Sequence, residues 1–295
     1  MINALSFDIE DWFHILDIPD LSNTKNWGNL PQVVESQTYR ILETLDQFGV
    51  KATFFIVGWI ADQYPDLVRQ IADLGHEIGS HSYWHRTVSS LRREEFAEDI
   101  HASVQTLESI SGRKVLGFRA PGFTLTQDCP WAFDVLLDEG IKYDASLVPY
   151  RPQSFNVTPK PHRFRETLSG REIMELPVSA LPLGKLSIPY CGGGYLRLMP
   201  SLLLYWLMTL QNQRGLPNVV YLHPRDFAVD CPRTKLPPLR YFRTYHGIAS
   251  TQAKLEFILS NFEWDTCASL LGFRLEKSLE RPFSQILPLA RAISF

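Results

Sequence analysis

The chain has 295 residues, enough for one large barrel-type domain or two ordinary ones. Hydrophobic residues make up 45% and charged residues 21%, an ordinary globular balance. A net charge of −3 with scattered Lys and Arg excludes an electrostatic footprint for nucleic acid or an anionic membrane.

The cysteines, Cys129, Cys191, Cys231 and Cys267, form no Cys-x-x-Cys pair. That argues against a cysteine zinc site or a dense disulfide framework and predicts free thiols. No basic segment precedes the first strand, and the most lipid-like run, LLLYWLM at 202–208, is far shorter than the roughly 20 residues of a membrane span. The expectation is a cytoplasmic chain without a membrane span, with action at the envelope left open.

Along the first half, strand and helix signals alternate. ALSF (4–7) reads as a strand, and 32–49 as an amphipathic helix closed by Gly49. KATFFIVG (51–58) is a continuous apolar run, as for a strand covered on both faces. A helix over 64–75, a short strand over 76–81, a long helix over 91–112, a strand over 115–121, a helix near 130–139 and a strand over 141–147 continue the rhythm. From 150 to 200 frequent prolines and the adjacent glycines 192–194 predict an excursion of loops and short β segments. A helix over 201–213 and a strand over 218–223 follow, then a proline-rich loop and a helix over 251–262. Repeated βα units imply a parallel sheet, open or closed into a barrel, with ligands placed where the strands end.

Polar clusters stand at those strand ends. SFDIEDWFH (6–14) puts Asp8, Glu10 and Asp11 directly after an apolar run, where free carboxylates are expensive unless paired. HSYWH (81–85) offers two histidines four apart, which on a helical turn reach one metal. Two imidazoles and a carboxylate, Glu10 or Asp11, make three protein ligands with positions left for water and substrate. A further carboxylate can take a proton from water, and one of the three is expected to be only a cap or a solvated loop residue. Arg119, in GFRAPGF (117–123), needs an anionic partner, with Asp8 the obvious one; Gly122, beside Phe123, offers an amide for an oxyanion. His223 ends the strand of VVYLHPRDF and suits a general acid. Trp12, Phe13, Tyr83, Trp84 and Tyr195 can stack on sugar rings, against a default of core burial.

SFDIED, HSYWH, FRAP and YLHP, in this order, resemble the polysaccharide deacetylase family (NodB homology, carbohydrate esterase family 4) over roughly 1–225. GGGYLRLMP (192–200) with HPRDF further resembles a bacterial subgroup tied to exopolysaccharide or cell-envelope glycan synthesis, which carries a C-terminal extension. The resemblance implies a distorted (β/α)7 barrel over 1–230 with an extension over 231–295 packed on it. It implies removal of N-acetyl, or O-acetyl, groups from an acetylated glycan with a divalent metal, most often zinc. By it Asp8 is the base, His81 and His85 are metal ligands and Arg119 orients Asp8. Gly122 contributes to the oxyanion hole, His223 is the acid, and Asp144 tunes that histidine. The usual motif has adjacent aspartates, whereas Ile9 follows Asp8 here. Strand alternation favours Glu10 as the metal carboxylate, and residue type favours Asp11. Gly122 stands where an aromatic is common, which widens the cleft. Two alternatives share this fold: a hydrolase of cyclic imides or ureides, and a glycan-binding relative inactivated at the Ile9 position.

Overall fold

In a computed structural model the chain is described over residues 1–149, 163–183 and 186–275. Parts of the predicted excursion (150–162, 184–185) and of the predicted extension (276–295) lie outside the described residues. The chain runs β1 (Ile2–Ile9), α1 (Val34–Gln47), β2 (Thr53–Ile56), α2 (Gly58–Gln63), α3 (Pro65–Asp73) and β3 (Glu77–Ser80). Then come α4 (Arg93–Ser111), β4 (Gly117–Phe118), α5 (Ala132–Asp138), β5 (Tyr143–Asp144), β6 (Arg163–Glu166) and β7 (Glu172–Glu175). β8 (Ala180–Leu183), β9 (Leu186–Pro189), α6 (Gly193–Leu198), α7 (Ser201–Gln213) and β10 (Val219–Leu222) follow. Last are α8 (Pro238–Tyr245), α9 (Thr251–Asn261), β11 (Glu263–Asp265) and α10 (Cys267–Leu270).

Side-chain alternation along β1 divides the molecule. Leu5, Phe7 and Ile9 join the large apolar layer beneath the helices, whereas Ala4 belongs to a smaller inner cluster with Phe55, Tyr143 and Val219. Ser6 and Asp8 share the inner side with Ala4. The strands run in the order β10-β1-β2-β3-β4-β5-β7, every neighbouring pair parallel, with β6 antiparallel outside β7. Among the described residues no continuous ladder joins β7 back to β10. Closure comes from separate bonds, Val219 N–H to Ser179 Oγ at 2.8 Å and Tyr221 N–H to Cys191 O at 2.9 Å. The fold is a distorted (β/α)7 barrel.

The inner cluster fills one mouth. Cys267 N–H donates to Thr53 Oγ1 and Ala268 N–H to Glu77 Oε2, and both acceptors begin their strands. α10 therefore plugs the N-terminal end of the barrel and leaves the C-terminal strand ends as the open face.

Three expectations are changed by these elements. β7, within the stretch read as an excursion, is a full member of the parallel sheet. The proline-rich loop after 232 contains α8, whose Pro237 and Pro238 sit at its start, where a missing N–H is harmless. HSYWH is not helical: residues 81–87 contain no helix, and His85 holds a left-handed backbone with φ of 52°.

Candidate active site

Each functional side chain stands at or just past the C-terminal end of a barrel strand. Asp8 lies at the end of β1 and Glu10 just past it, His81 follows β3, Arg119 follows β4 and His223 follows β10. They meet at the floor of a cavity of about 510 Å³ lined by Asp8, Glu10, His14, His81, His85 and His223.

Glu10, His81 and His85 are buried and bring one ligand atom each to within 4.8 Å of one another. His81 Nδ1 lies 2.7 Å from the backbone oxygen of Arg119, and a carbonyl can only accept. The proton is therefore on Nδ1, and Nε2 turns its lone pair to Glu10 Oε2, 3.9 Å away. His85 Nε2 is packed against the same oxygen yet makes no directed hydrogen bond. Glu10 Oε1 faces Arg225 Nη1 at 2.6 Å, which leaves Oε2 to the histidines. Burial raises the Glu10 carboxyl, but Arg225, His85 and His223 outweigh it and hold it well below the usual range. Burial, opposed by Asp8 and reinforced by His85, lowers His81 to about 4, so it is neutral near pH 7. Two imidazole nitrogens and one carboxylate oxygen, one nitrogen lacking a hydrogen-bond partner among the described residues, fit a divalent cation.

Asp11, the other candidate for that carboxylate, is turned away. Its Oδ1 accepts Trp12 N–H at 2.7 Å, and its Oδ2 accepts Val33 and Val34 N–H at 2.9 and 3.0 Å. It caps the turn after β1 and the start of α1, and burial, opposed by those amides, raises it to about 6.

Asp8 Oδ1 accepts from Arg119 Nη1 at 2.6 Å, and the same nitrogen lies 2.8 Å from Ser6 Oγ. Arg119 is fully buried, its guanidinium 4.2 Å from the Phe55 ring centre. This fastening leaves Asp8 Oδ2 toward His223, whose Nε2 is 3.8 Å away. His223 Nδ1 is 3.1 Å from Asp226 Oδ2, a carboxylate that can only accept, so Nε2 again carries the lone pair. Burial and then Arg225 lower His223 to about 3, against the pull of Glu10 and Asp8.

The partner of His223 is therefore Asp226, not Asp144. The Asp144 carboxylate accepts from Ser146 N–H at 3.1 Å and from its hydroxyl at 2.5 Å, and burial, with Ser146 opposing, raises it to about 7. Asp226 is in turn held by Arg197. A Cβ on Gly193 would sit 2.0 Å from Asp226 Oδ2, so this glycine makes room for the carboxylate.

Gly122 and Phe123 line the cavity, both with positive φ. Trp84 packs on Tyr83 and Trp27 and is absent from the cavity wall, while Tyr195 lines a neighbouring cavity. Trp12 and Phe13 are core residues. Sequence reasoning missed Arg225, Asp226 and His14. His14 Nδ1 accepts Asp11 N–H at 3.0 Å, so the neutral ring carries its proton on Nε2, which has no partner in this buried cavity wall. Its tautomer is the reverse of that of His81, and it presents a donor where His81 presents a ligand. Burial and then His85 hold its pKa well below the ordinary value.

Residues 26–133 match the family model described as polysaccharide deacetylase, and residues 145–272 one described as a domain of unknown function (DUF3473). Over residues 26–133 the chain carries a polysaccharide deacetylase domain. Among relatives of this deacetylase domain, the peptidoglycan-N-acetylglucosamine deacetylase of Bacillus cereus is 35% identical over 96 residues, 32% of this chain and 35% of that protein. The chitooligosaccharide deacetylase of Azorhizobium caulinodans is 38% identical over 87 residues, 29% of this chain and 41% of that protein. The matched region spans about a third of the length of the first three curated relatives. A solved structure named as a candidate polysaccharide deacetylase from Mycobacterium smegmatis superposes with a TM-score of 0.58 at 19% identity, covering 95% of this chain and 93% of that one. That likeness extends the shared fold across both matched segments.

Proposed function

We propose that this cleft hydrolyses acetyl amides, or acetyl esters, on a bacterial exopolysaccharide or cell-envelope glycan. The observation that carries the reading is the convergence, in one cavity, of the Glu10–His81–His85 cluster with the Asp8–Arg119 pair and His223. The names of the relatives, peptidoglycan and chitooligosaccharide deacetylases, supply the substrate class. Glu10 in the cluster argues against the inactive alternative, since Ile9 leaves the site with a carboxylate of the right kind.

Glu10, His81 and His85 would hold a divalent cation, zinc by this donor set. Such an ion supplies polarisation of the acyl oxygen and acidification of water. Asp8, oriented by Arg119, takes the proton of the attacking water. His223 enters neutral with its Nε2 lone pair toward Asp8, so it can receive that proton and deliver it to the leaving nitrogen. The balance closes: hydroxide adds to the acyl carbon, the C–N bond breaks, and the proton ends on the amine. Asp226 keeps the imidazole in the tautomer this relay needs. His14 Nε2–H offers an uncharged donor to a substrate oxygen.

Acetate release from N-acetylated chito-oligosaccharides and peptidoglycan fragments, before and after chelation, tests the reading. Asp8→Asn should retain the ion and lose about 10²–10⁴ of turnover. Wild-type turnover in Asp8→Asn would remove Asp8 from its role. Turnover of cyclic imides alone would move the site to small-amide hydrolysis, and glycan affinity with no acetate release would leave a binding protein.

A further inference from the structure

Beyond His223 the cleft opens into a second cavity of about 220 Å³, and the two share His223, Arg225, Arg240 and Thr244. Its wall carries four arginines, Arg197, Arg225, Arg240 and Arg243, against one carboxylate, Asp226. Asp226 is taken by buried Arg197, which also donates to the backbone oxygens of Arg243, Thr244 and His246. Arg225 faces Glu10. Arg240 donates to the Leu16 carbonyl at 2.5 Å, and among the described residues no carboxylate pairs with Arg240 or Arg243. These two stand one turn apart on α8, a like-charge spacing that destabilises a helix unless an anion lies between or above the pair. Burial and then Arg225 lower Arg197 to about 10, as expected where positive charge is crowded.

We propose that this second cavity is a subsite for an anionic substituent, carboxylate or phosphate, on the sugar unit next to the one being deacetylated. The proposal rests on the glycan reading above and adds to it the charge of the substrate. Guanidinium groups present paired N–H donors in the geometry of a carboxylate or phosphate, and here they border the site without blocking it. The shared wall at His223 and Arg225 sets the anion beside the acyl group rather than on it.

The test uses the full chain carrying Asp8→Asn, so that binding is read without turnover. Chito-oligosaccharides oxidised at C6 to carboxylates are compared with their neutral parents by calorimetry. The oxidised ligand should bind roughly tenfold tighter at low salt, the scale of a charge-assisted hydrogen bond. That preference should vanish in about 1 M salt, where the Debye length is about 3 Å. It should also vanish in Arg240→Gln/Arg243→Gln and largely persist in Arg240→Lys/Arg243→Lys, with unchanged melting of both variants. Equal affinity for the two ligands in the parent chain overturns the proposal. If neither oligosaccharide binds, the glycan reading fails instead, and titration with inorganic phosphate and with glucuronate decides the subsite. Saturable binding of either anion, lost in Arg240→Gln/Arg243→Gln, supports it and names the anion; no saturable binding overturns it.

Discussion

Glu10 and Asp11 are neighbours in sequence, both buried, and their surroundings separate them. Asp11 has three backbone amides and no cation in contact, while Glu10 has Arg225, two imidazoles of the cluster and no amide. Elemental analysis of Glu10→Gln should accordingly find the ion lost, whereas Asp11→Asn should keep it. Asp11→Asn should instead lower unfolding stability by about 1–3 kcal/mol, because an amide group offers only one accepting oxygen to three donors. The opposite pattern of metal loss would exchange their roles. Alternation along β1 pointed to Glu10 and residue type to Asp11. What decides between them is the position of the Val33 and Val34 amides, twenty-two and more residues away, and no local pattern contains it. Asp226 was legible in principle: it lies three residues after His223 in a turn opened by Pro224, the spacing at which a side chain returns to its own start. Arg225, beside it, has no local pattern that marks it, since its partner Glu10 lies at the other end of the chain.

The loop carrying the two histidines is held by an element rather than by its own propensity. Asp99 on α4 accepts Tyr83 N–H at 2.7 Å and Trp84 N–H at 3.3 Å, and pairs with Arg86 at 3.1 Å. Ser82 Oγ accepts His85 N–H at 3.0 Å, and Ser82 and His85 both hold positive φ, a strained backbone that the surrounding contacts impose. Asp99→Ala should therefore weaken metal affinity by about 10–100-fold while touching no ligand, as removal of outer support does. Competition against a chromogenic chelator measures this, and unaltered affinity would mean that the loop holds its shape unaided. The helical reading of HSYWH named the pair that the structure brings together, but by the wrong geometry. Spacing of four suits a helix, but here β3 delivers His81 and a strained turn returns His85 to it. α8 was hidden for a related reason: prolines that end helices elsewhere begin this one.

At the scale of the molecule, the βα alternation of the first half was plain in the sequence because β1 and β2 carry apolar runs and the helices between strands have one apolar side. β7 and β11 were not, since a short strand is recognised by its partners more than by its composition. Stability carries a signature of the same buried sheet. His76 lies under Phe54, its Nδ1 accepting Ala52 N–H at 3.2 Å, and burial, then Lys51, lower it from 6.5 to about 3. Between those values the unfolded chain binds a proton that the folded chain refuses. The contribution is thus complete above about pH 6.5 and declines as the pH falls toward 3. Urea midpoints of the wild type and His76→Gln, compared at about pH 7 and pH 5, should show a shallower acid loss in the variant. Equal slopes would place the acid sensitivity at other groups.

The pairing of β1 has a bearing on how the protein is made. Ala4 has Val219 and Asp265 as registered partners, both more than two hundred residues downstream. On a ribosome, the strand bearing Asp8 meets β2 early but waits for nearly all of the described chain before β10 and β11 exist. Its apolar outer row, Leu5, Phe7 and Ile9, must meanwhile be covered without them. A nascent chain stopped before β10 would hold Asp8, Glu10, His81, His85 and Arg119 but lack His223, Arg225 and the strand that closes the barrel. On the reading proposed above, the site would thus be completed late in synthesis and in a single step, when β10 brings His223 and Arg225 to residues already in place.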